Sequence, residues 1–335
     1  MSTETAVRQD GTAQAPEQPL LDVVDLVVRY GRGRKAAGMP PAVDGVSFSI
    51  RPGETVGLVG ESGSGKSTIG KAILGLEKCS GGSVSFNGTD ITHASPARRR
   101  ELGGELRAVF QDPNSSLNPR QSIGASLAEP LRIRGVAARE ARQRAEDMLG
   151  RVGLPREAVD RFPGQFSGGQ RQRIAVARAL ICEPKLVVCD EAVSALDLST
   201  QAQVLNLLAD LRDERGLSYL FIAHDISVVQ FLAQRVVVLY RGQVMESGPA
   251  ADVTESPQHP FTQALVAASP VPRPAEQAER RQKREALGVR TAAAAAAAPG
   301  GCPFSERCPM ATDLCRTERP ALRSVGTSDV ACHYA

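Results

Sequence analysis

The chain has 335 residues, 42% apolar and 23% charged, enough for one full core with an appendage. A net charge of +3 provides no electrostatic footprint for nucleic acid, and no nucleic-acid partner is expected. No apolar run reaches the roughly 18–20 residues of a spanning helix. The polar start, Met1 to Pro19, lacks the basic and apolar regions of a secretory signal, so the chain is expected to stay in the cytoplasm.

In chain order, residues 1–19 read as a disordered tail. From Leu20 to about Pro257, strand-like and helix-like segments alternate, which predicts an α/β domain. Tyr30 precedes a glycine- and base-rich insertion, Gly31 to Gly38. Thr55 to Val59 is a short β-rich apolar run. It leads at once into Gly60-Glu61-Ser62-Gly63-Ser64-Gly65-Lys66-Ser67, followed by Thr68 and by Ile69, Ile73 and Leu76 at helical spacing. Strand, glycine loop and helix in that order are the context of a P-loop. Glycines let backbone N–H groups converge on phosphate oxygens, and the following helix turns its positive end toward the anion. Lys66 is placed as a point charge on the β- and γ-phosphates, and the Ser67 hydroxyl as a Mg²⁺ ligand. ATP and Mg²⁺ are the expected cofactors.

Ser167 and Gln170 form an S-x-x-Q capping box ahead of a helix through Ile174, Ala177 and Leu180, a second anion-binding N-terminus. Leu186 to Cys189 reads as a buried strand ending in Asp190-Glu191. Acids at the carboxyl end of a strand lie at the crevice where α/β sheets bind ligands. Asp190 is the candidate Mg²⁺ ligand and Glu191 the candidate base for an attacking water. Tyr219 to Ala223 is another strand, with His224 at its end in the neighbouring crevice. A charge run, Glu279 to Glu285, reads as a solvated helix face, and Ala292 to Ala298 carries no assigned function. Four of the seven cysteines, Cys302, Cys308, Cys315 and Cys332, crowd the last 34 residues. In a reducing compartment such a cluster favours a metal or redox site over disulfides. Their spacing, C-x5-C-x6-C-x16-C, suits Zn²⁺ or an iron–sulfur cluster, and unliganded thiols are the plain alternative.

The stretch Phe166-Ser167-Gly168-Gly169-Gln170-Arg171-Gln172-Arg173, just upstream of the acidic strand, resembles the signature of ABC ATPases. The resemblance implies a P-loop NTPase fold, an α/β RecA-like core with a helical subdomain. It divides the chain into an ATPase domain, 20–258, and a small cysteine-containing extension, 259–335. Further matches follow from it. Gln111, in Phe110-Gln111-Asp112-Pro113, looks like the glutamine that touches Mg²⁺ and senses the membrane partner. Asp197, in Ser194-Ala195-Leu196-Asp197, looks like the loop at the dimer seam. His224 looks like the switch histidine, and Tyr30 like the aromatic that stacks on adenine. Catalysis is thereby expected from Glu191, His224 and Gln111. Nucleotide binding is expected from Tyr30, Gly60 to Thr68, Gln111, Asp190, Asp197 and, across a dimer, Ser167 to Gln170. Two residues depart from the usual pattern. Ala192 follows the glutamate where similar proteins carry Pro, and Ala223 precedes the histidine where Ser is common.

Val43 to Phe48, Gln111 to Pro119 and His259-Pro260-Phe261-Thr262 resemble the oligopeptide/dipeptide/nickel importer subfamily, over about Leu20 to His333. That subfamily carries a [4Fe–4S] cluster in its extension, so the resemblance tips Cys302, Cys308, Cys315 and Cys332 toward iron–sulfur. It implies a second homologous ATPase subunit in a hetero- or homodimer, two transmembrane permease subunits and an extracytoplasmic substrate-binding protein. The subunit is then peripheral, on the cytoplasmic face of the cell membrane. Import of di- or oligopeptides is the implied activity. A nickel-chelate importer, or a nucleotide-sensing ABC protein without transport, is the alternative.

Overall fold

The computed structural model describes residues 18–31, 39–112, 117–194, 196–269, 288 and 300–335. The polar tail to residue 17, most of the insertion after Tyr30, residues 113–116, Ala195, the charge run and the alanine run lie outside the described residues.

Two sheets form the frame. The first joins β1 (Leu21–Val28), β2 (Val43–Ile50), β4 (Gly81–Phe86) and β5 (Thr89–Asp90) in the antiparallel order β2-β1-β4-β5. The second has eight strands. Its parallel centre runs β9-β3-β8-β7-β6, where β3 is Thr55–Gly60, β6 Leu106–Val109, β7 Leu186–Asp190, β8 Ser218–Ile222 and β9 Arg235–Tyr240. Beyond β9, three strands pair antiparallel: β10 (Gln243–Pro249), β12 (Ser328–Val330) and β11 (Arg323–Val325). The end of the extension is thus stitched into the main sheet.

The central strands are mainly apolar because both faces are covered. Successive side chains point to opposite faces. Val187 and Cys189 of β7, Tyr219 and Phe221 of β8, and Val236 and Val238 of β9 enter one core. Leu186 and Val188, Leu220 and Ile222, and Val237 and Leu239 enter the other. The second core lies against the antiparallel sheet and α1 (Lys66–Ile73). The first takes up α3 (Ile123–Ile133), α4 (Ala138–Arg151) and α5 (Gly168–Leu180), the helical subdomain. The intervening α2 is Pro96–Leu102. This is the α/β architecture that the sequence predicts.

One detail corrects the sequence reading. Leu76 does not continue α1; it is 61% exposed, beyond the end of the helix. Gly75, at φ +74°, takes the left-handed turn that Gly adopts without penalty. Leu76 N then donates to Lys71 O at 2.8 Å and Gly75 N to Ala72 O at 3.0 Å, which closes the helix.

The extension is anchored by aromatic and buried polar groups. His259 caps the helix Pro260–Ala268, with its Nδ1 accepting from Phe261 N at 2.9 Å. The fully buried Glu246 carboxylate accepts from Gln258 N and His259 N, both at 2.9 Å. Tyr240, Phe261 and Phe304 form a triangle with centroids 4.7–5.4 Å apart, within the favourable range for aromatic pairs. His259-Pro260-Phe261-Thr262 is therefore a buried joint.

Burial pushes His259 down from 6.5 to about 4. Between those values the unfolded chain binds a proton that the folded chain refuses, so stability falls as pH drops from 6.5 toward 4. This histidine should contribute a loss of up to about 3 kcal/mol across that window. His259→Asn keeps a capping acceptor but does not titrate. Urea unfolding from pH 7 to 4 should show a flatter pH dependence for the variant; equal slopes would refute the assignment.

Candidate active site

The phosphate loop leaves β3 at Gly60, whose φ of +151° suits glycine. A Cβ there would lie 2.1 Å from Leu239 O of the adjacent β9, so no other residue fits. The loop is tied to the β9–β10 turn by Gly242 N donating to Ser64 O at 2.9 Å. Ser62 and Gly63 form the exposed crest. No side chain caps α1 at Gly65, so the first-turn N–H groups of that helix remain directed at whatever occupies the loop.

Lys66 is buried under this loop. Its ammonium donates to Gly60 O at 2.8 Å, Glu61 O at 2.9 Å and Ser64 Oγ at 3.4 Å. Burial lowers its pKa, opposed by the charges of Glu191, Asp190 and Glu61. Three carboxylates thus lie within electrostatic reach of one cation. Ser67 Oγ donates to Asp190 Oδ1 at 2.8 Å, bringing together two of the three residues singled out for Mg²⁺. A hydroxyl and a carboxylate beside a loop of N–H donors fit a Mg²⁺–triphosphate. Tyr30 is 44% exposed and its hydroxyl shares a 2.9 Å hydrogen bond with Thr68 Oγ1, so its ring stands beside α1 with surface to spare.

Glu191 follows Asp190 at the end of β7 with φ +50°, a conformation that costs a non-glycine residue energy and recurs at functional sites. Three bonds close this turn without a proline at Ala192. Glu191 N donates to Ile222 O at 3.0 Å, and Ser194 N and Oγ donate to Glu191 O at 3.2 and 3.0 Å. Glu191 lines one cleft with His224, Gln201 and Asp225, at the carboxyl ends of β7 and β8. Gln111 is exposed just past β6, on the neighbouring edge.

The signature segment stands apart in its exposure. Ser167 caps α5 by accepting from Gln170 N at 3.3 Å, and Gln170 Oε1 accepts from Ser167 N at 2.9 Å, the predicted box. Ser167 and Gly168 are exposed, while Gly169 packs by Thr200. Asp197 caps α6 (Leu198–Arg215), accepting from Thr200 N and from the Ser199 and Thr200 hydroxyls. Those hydrogen bonds, the backbone one foremost, lower its pKa to about 2.

At the far end, Cys302, Cys308, Cys315 and Cys332 line one small cavity with His259, Phe304 and His333. All four are free thiols. Burial raises Cys302 to about 11, and the charges of the other three add to it. Among the described residues, no group of three or more His, Cys, Asp or Glu is arranged to hold a metal ion. Sequence reasoning missed Arg307 and Tyr240, which link this lobe to the phosphate loop, and Glu246, which ties β10 to the start of the extension. The only available signal was a basic residue inside the cysteine segment, Cys302 to Cys308.

Among the described residues, no helix is long and apolar enough to cross a membrane. The profile of the ABC transporter family matches residues 43–194, and that of the oligopeptide/dipeptide transporter C-terminal region matches residues 245–315. A protein of Brucella abortus (strain 2308), provisionally named a peptide import ATP-binding protein, is 45% identical over 334 residues, covering 98% of each chain. A similarly named protein of Brucella ovis is 46% identical over 310 residues, 92% of this chain and 95% of its own. Among solved structures, the ATP-binding cassette MJ0796, in a dimeric post-hydrolysis state bound to ADP and Pi, superposes with a TM-score of 0.63. It shares 29% identity and covers 69% of this chain and 98% of its own. The protein cbiO1 from Clostridium perfringens, part of the ABC transporter complex cbiONQ, gives 0.64 at 28% identity, covering 72% and 92%. With near full-length identity to such relatives, the chain belongs to the ABC transporter family of ATP-binding subunits, in the branch with the oligopeptide/dipeptide transporter C-terminal region.

Proposed function

We propose that this subunit hydrolyses ATP to drive import of di- or oligopeptides through permease partners at the membrane. The observation that carries the reading is convergence at one sheet edge. Lys66, the Ser67–Asp190 pair and the Glu191–His224 cleft all lie at the carboxyl ends of β3, β7 and β8. Each group has a place in phosphoryl transfer. The loop N–H groups and Lys66 bind the β- and γ-phosphates. Ser67 and Asp190, with Gln111, would hold Mg²⁺, which when bound would draw charge from the phosphate oxygens. Glu191 orients water for in-line attack, and His224 hydrogen-bonds the γ-phosphate. Tyr30 stacks on adenine, a contact open to any π-face.

The exposed signature supports a head-to-tail dimer. Ser167, Gly168, Gly169 and Gln170 of one subunit cover the nucleotide held by the other, with Asp197 at the seam. The triphosphate satisfies two helix N-termini at once, and its cleavage reopens the pair. The companion is a similar ATPase, with two permease subunits and a substrate-binding protein outside. ATPase assays on the assembled transporter, together with uptake by a deletion strain offered peptides and nickel chelates, test this. Uptake of nickel alone would move the cargo to the metal. Turnover with no co-purifying membrane subunit would favour a nucleotide sensor.

For the extension, we assign Cys302, Cys308, Cys315 and Cys332 to a [4Fe–4S] cluster; what supports this is that all four thiols line one cavity, and because no three of them form a metal-holding group as placed, they would have to close on the cluster when it binds. Bound there, such a cluster would supply cross-linking of the lobe or a one-electron redox centre. Anaerobically purified protein should contain about four iron and four sulfide per chain, with a broad visible band. Zinc without iron would reject the cluster.

A further inference from the structure

One contact joins the two halves of the molecule at the phosphate loop itself. Arg307, in the cysteine segment, donates from Nη1 to both carboxylate oxygens of Glu61, at 3.0 and 2.8 Å. Glu61 is the second residue of the phosphate loop, 246 positions away in the chain. The guanidinium is held in place: its carbon lies 5.7 Å from the Tyr240 ring centre and 5.6 Å from that of Phe304, and Nη1 reaches the Tyr240 hydroxyl at 3.4 Å. Tyr240 ends β9, the strand that pairs with β3 up to Gly60. The arginine is therefore braced by the same sheet edge that launches the loop.

A carboxylate in an anion-binding loop needs an explanation. The charge of Glu61 acts on Lys66, so it lies within reach of the cation meant for phosphate. Unpaired, it would repel a triphosphate arriving at the same N–H groups. We propose that Arg307 neutralises Glu61 and thereby acts as a positioning residue for ATP, supplied to the phosphate loop by the C-terminal extension. The inference rests on the ATP-binding reading of this loop and is independent of what the cysteines hold. Its consequence is that the extension sets nucleotide affinity, through charge and without touching the nucleotide.

The test is a double-mutant cycle on the full chain with its transporter partners, reading KM for ATP, kcat, and the Kd of a fluorescent ATP analogue. Arg307→Met keeps an apolar stem on Tyr240 and Phe304 and removes the charge. It should raise KM and Kd roughly tenfold in the Glu61 background and less than twofold in the Glu61→Gln background, with kcat at saturating ATP changed little by Arg307→Met. The tenfold defect should shrink as salt is raised, because the repulsion is screened. A packing role would instead give the same defect in both backgrounds and no salt dependence; either result, or an unchanged KM in Arg307→Met, overturns the proposal. Should Arg307→Met not fold, Arg307→Gln takes its place, with the same rise expected in the Glu61 background and less than twofold in the Glu61→Gln background; equal defects in both would overturn the proposal. Failure of the wild-type chain to bind the analogue would refute the ATP reading itself, a separable outcome.

Discussion

Glu191→Gln should bind ATP and close the dimer yet turn over on the order of 10²–10⁴-fold more slowly. The amide has almost the shape of the carboxylate, so the turn held by Ile222 O and Ser194 should survive. What is lost is the acceptor for the proton of the attacking water. The variant should therefore accumulate as an ATP-bound dimer, visible by size-exclusion chromatography, while wild-type protein remains in exchange with monomer. Removal of one of the three carboxylates acting on Lys66 should also make the empty site less anionic, so affinity for ATP should hold or rise. Unchanged turnover would take Glu191 out of the role and leave its left-handed backbone without a catalytic explanation.

Lys66→Ala should fail earlier, at binding. The ammonium donates to three oxygens of the loop and is buried, so the cation is held within the loop that would receive the phosphate charge. Deleting a buried charge from a charge-paired site costs ~2–5 kcal/mol, which corresponds to roughly 30- to several-thousand-fold in affinity. The loss should appear in the Kd of a fluorescent ATP analogue and in the absence of ATP-dependent dimerisation. Lys66→Arg is not a rescue, because a planar fork does not fit a pocket built around a point charge. An Ala variant that bound ATP normally would mean that the backbone N–H groups alone hold the phosphates.

The two variants separate stages that share one loop. Glu191→Gln should trap the closed state, and Lys66→Ala should prevent it. The Arg307–Glu61 cycle probes a third quantity, the background charge against which both act. Because Arg307 comes from the extension, whatever loosens that lobe should register as a change in ATP affinity.

Much of the site was legible in the chain because its chemistry is local. Gly60 to Ser67, the Ser167–Gln170 box and Asp190-Glu191 are contiguous segments whose geometry follows from a few neighbouring residues. The strand, loop and cap each formed as the residue types dictate. The apolar runs at 55–59, 186–189 and 219–223 announced buried strands, but not their order. That β8 lies between β3 and β7, which places Ser67 2.8 Å from Asp190 across 123 positions, was settled by parallel pairing. Leu76 was misread because helical spacing persists past a point where Gly75 turns the backbone.

By itself the sequence determined that a glycine loop ahead of a helix, an acidic strand end and a second capped helix exist. Only the tertiary structure decided that the last strands join the main sheet, that His259 is a buried joint, and that Arg307 answers Glu61. The physical reason is range. Motifs rest on interactions between near neighbours in the chain, whereas these contacts depend on sheet order and on which core each strand face enters. No short stretch of sequence encodes either.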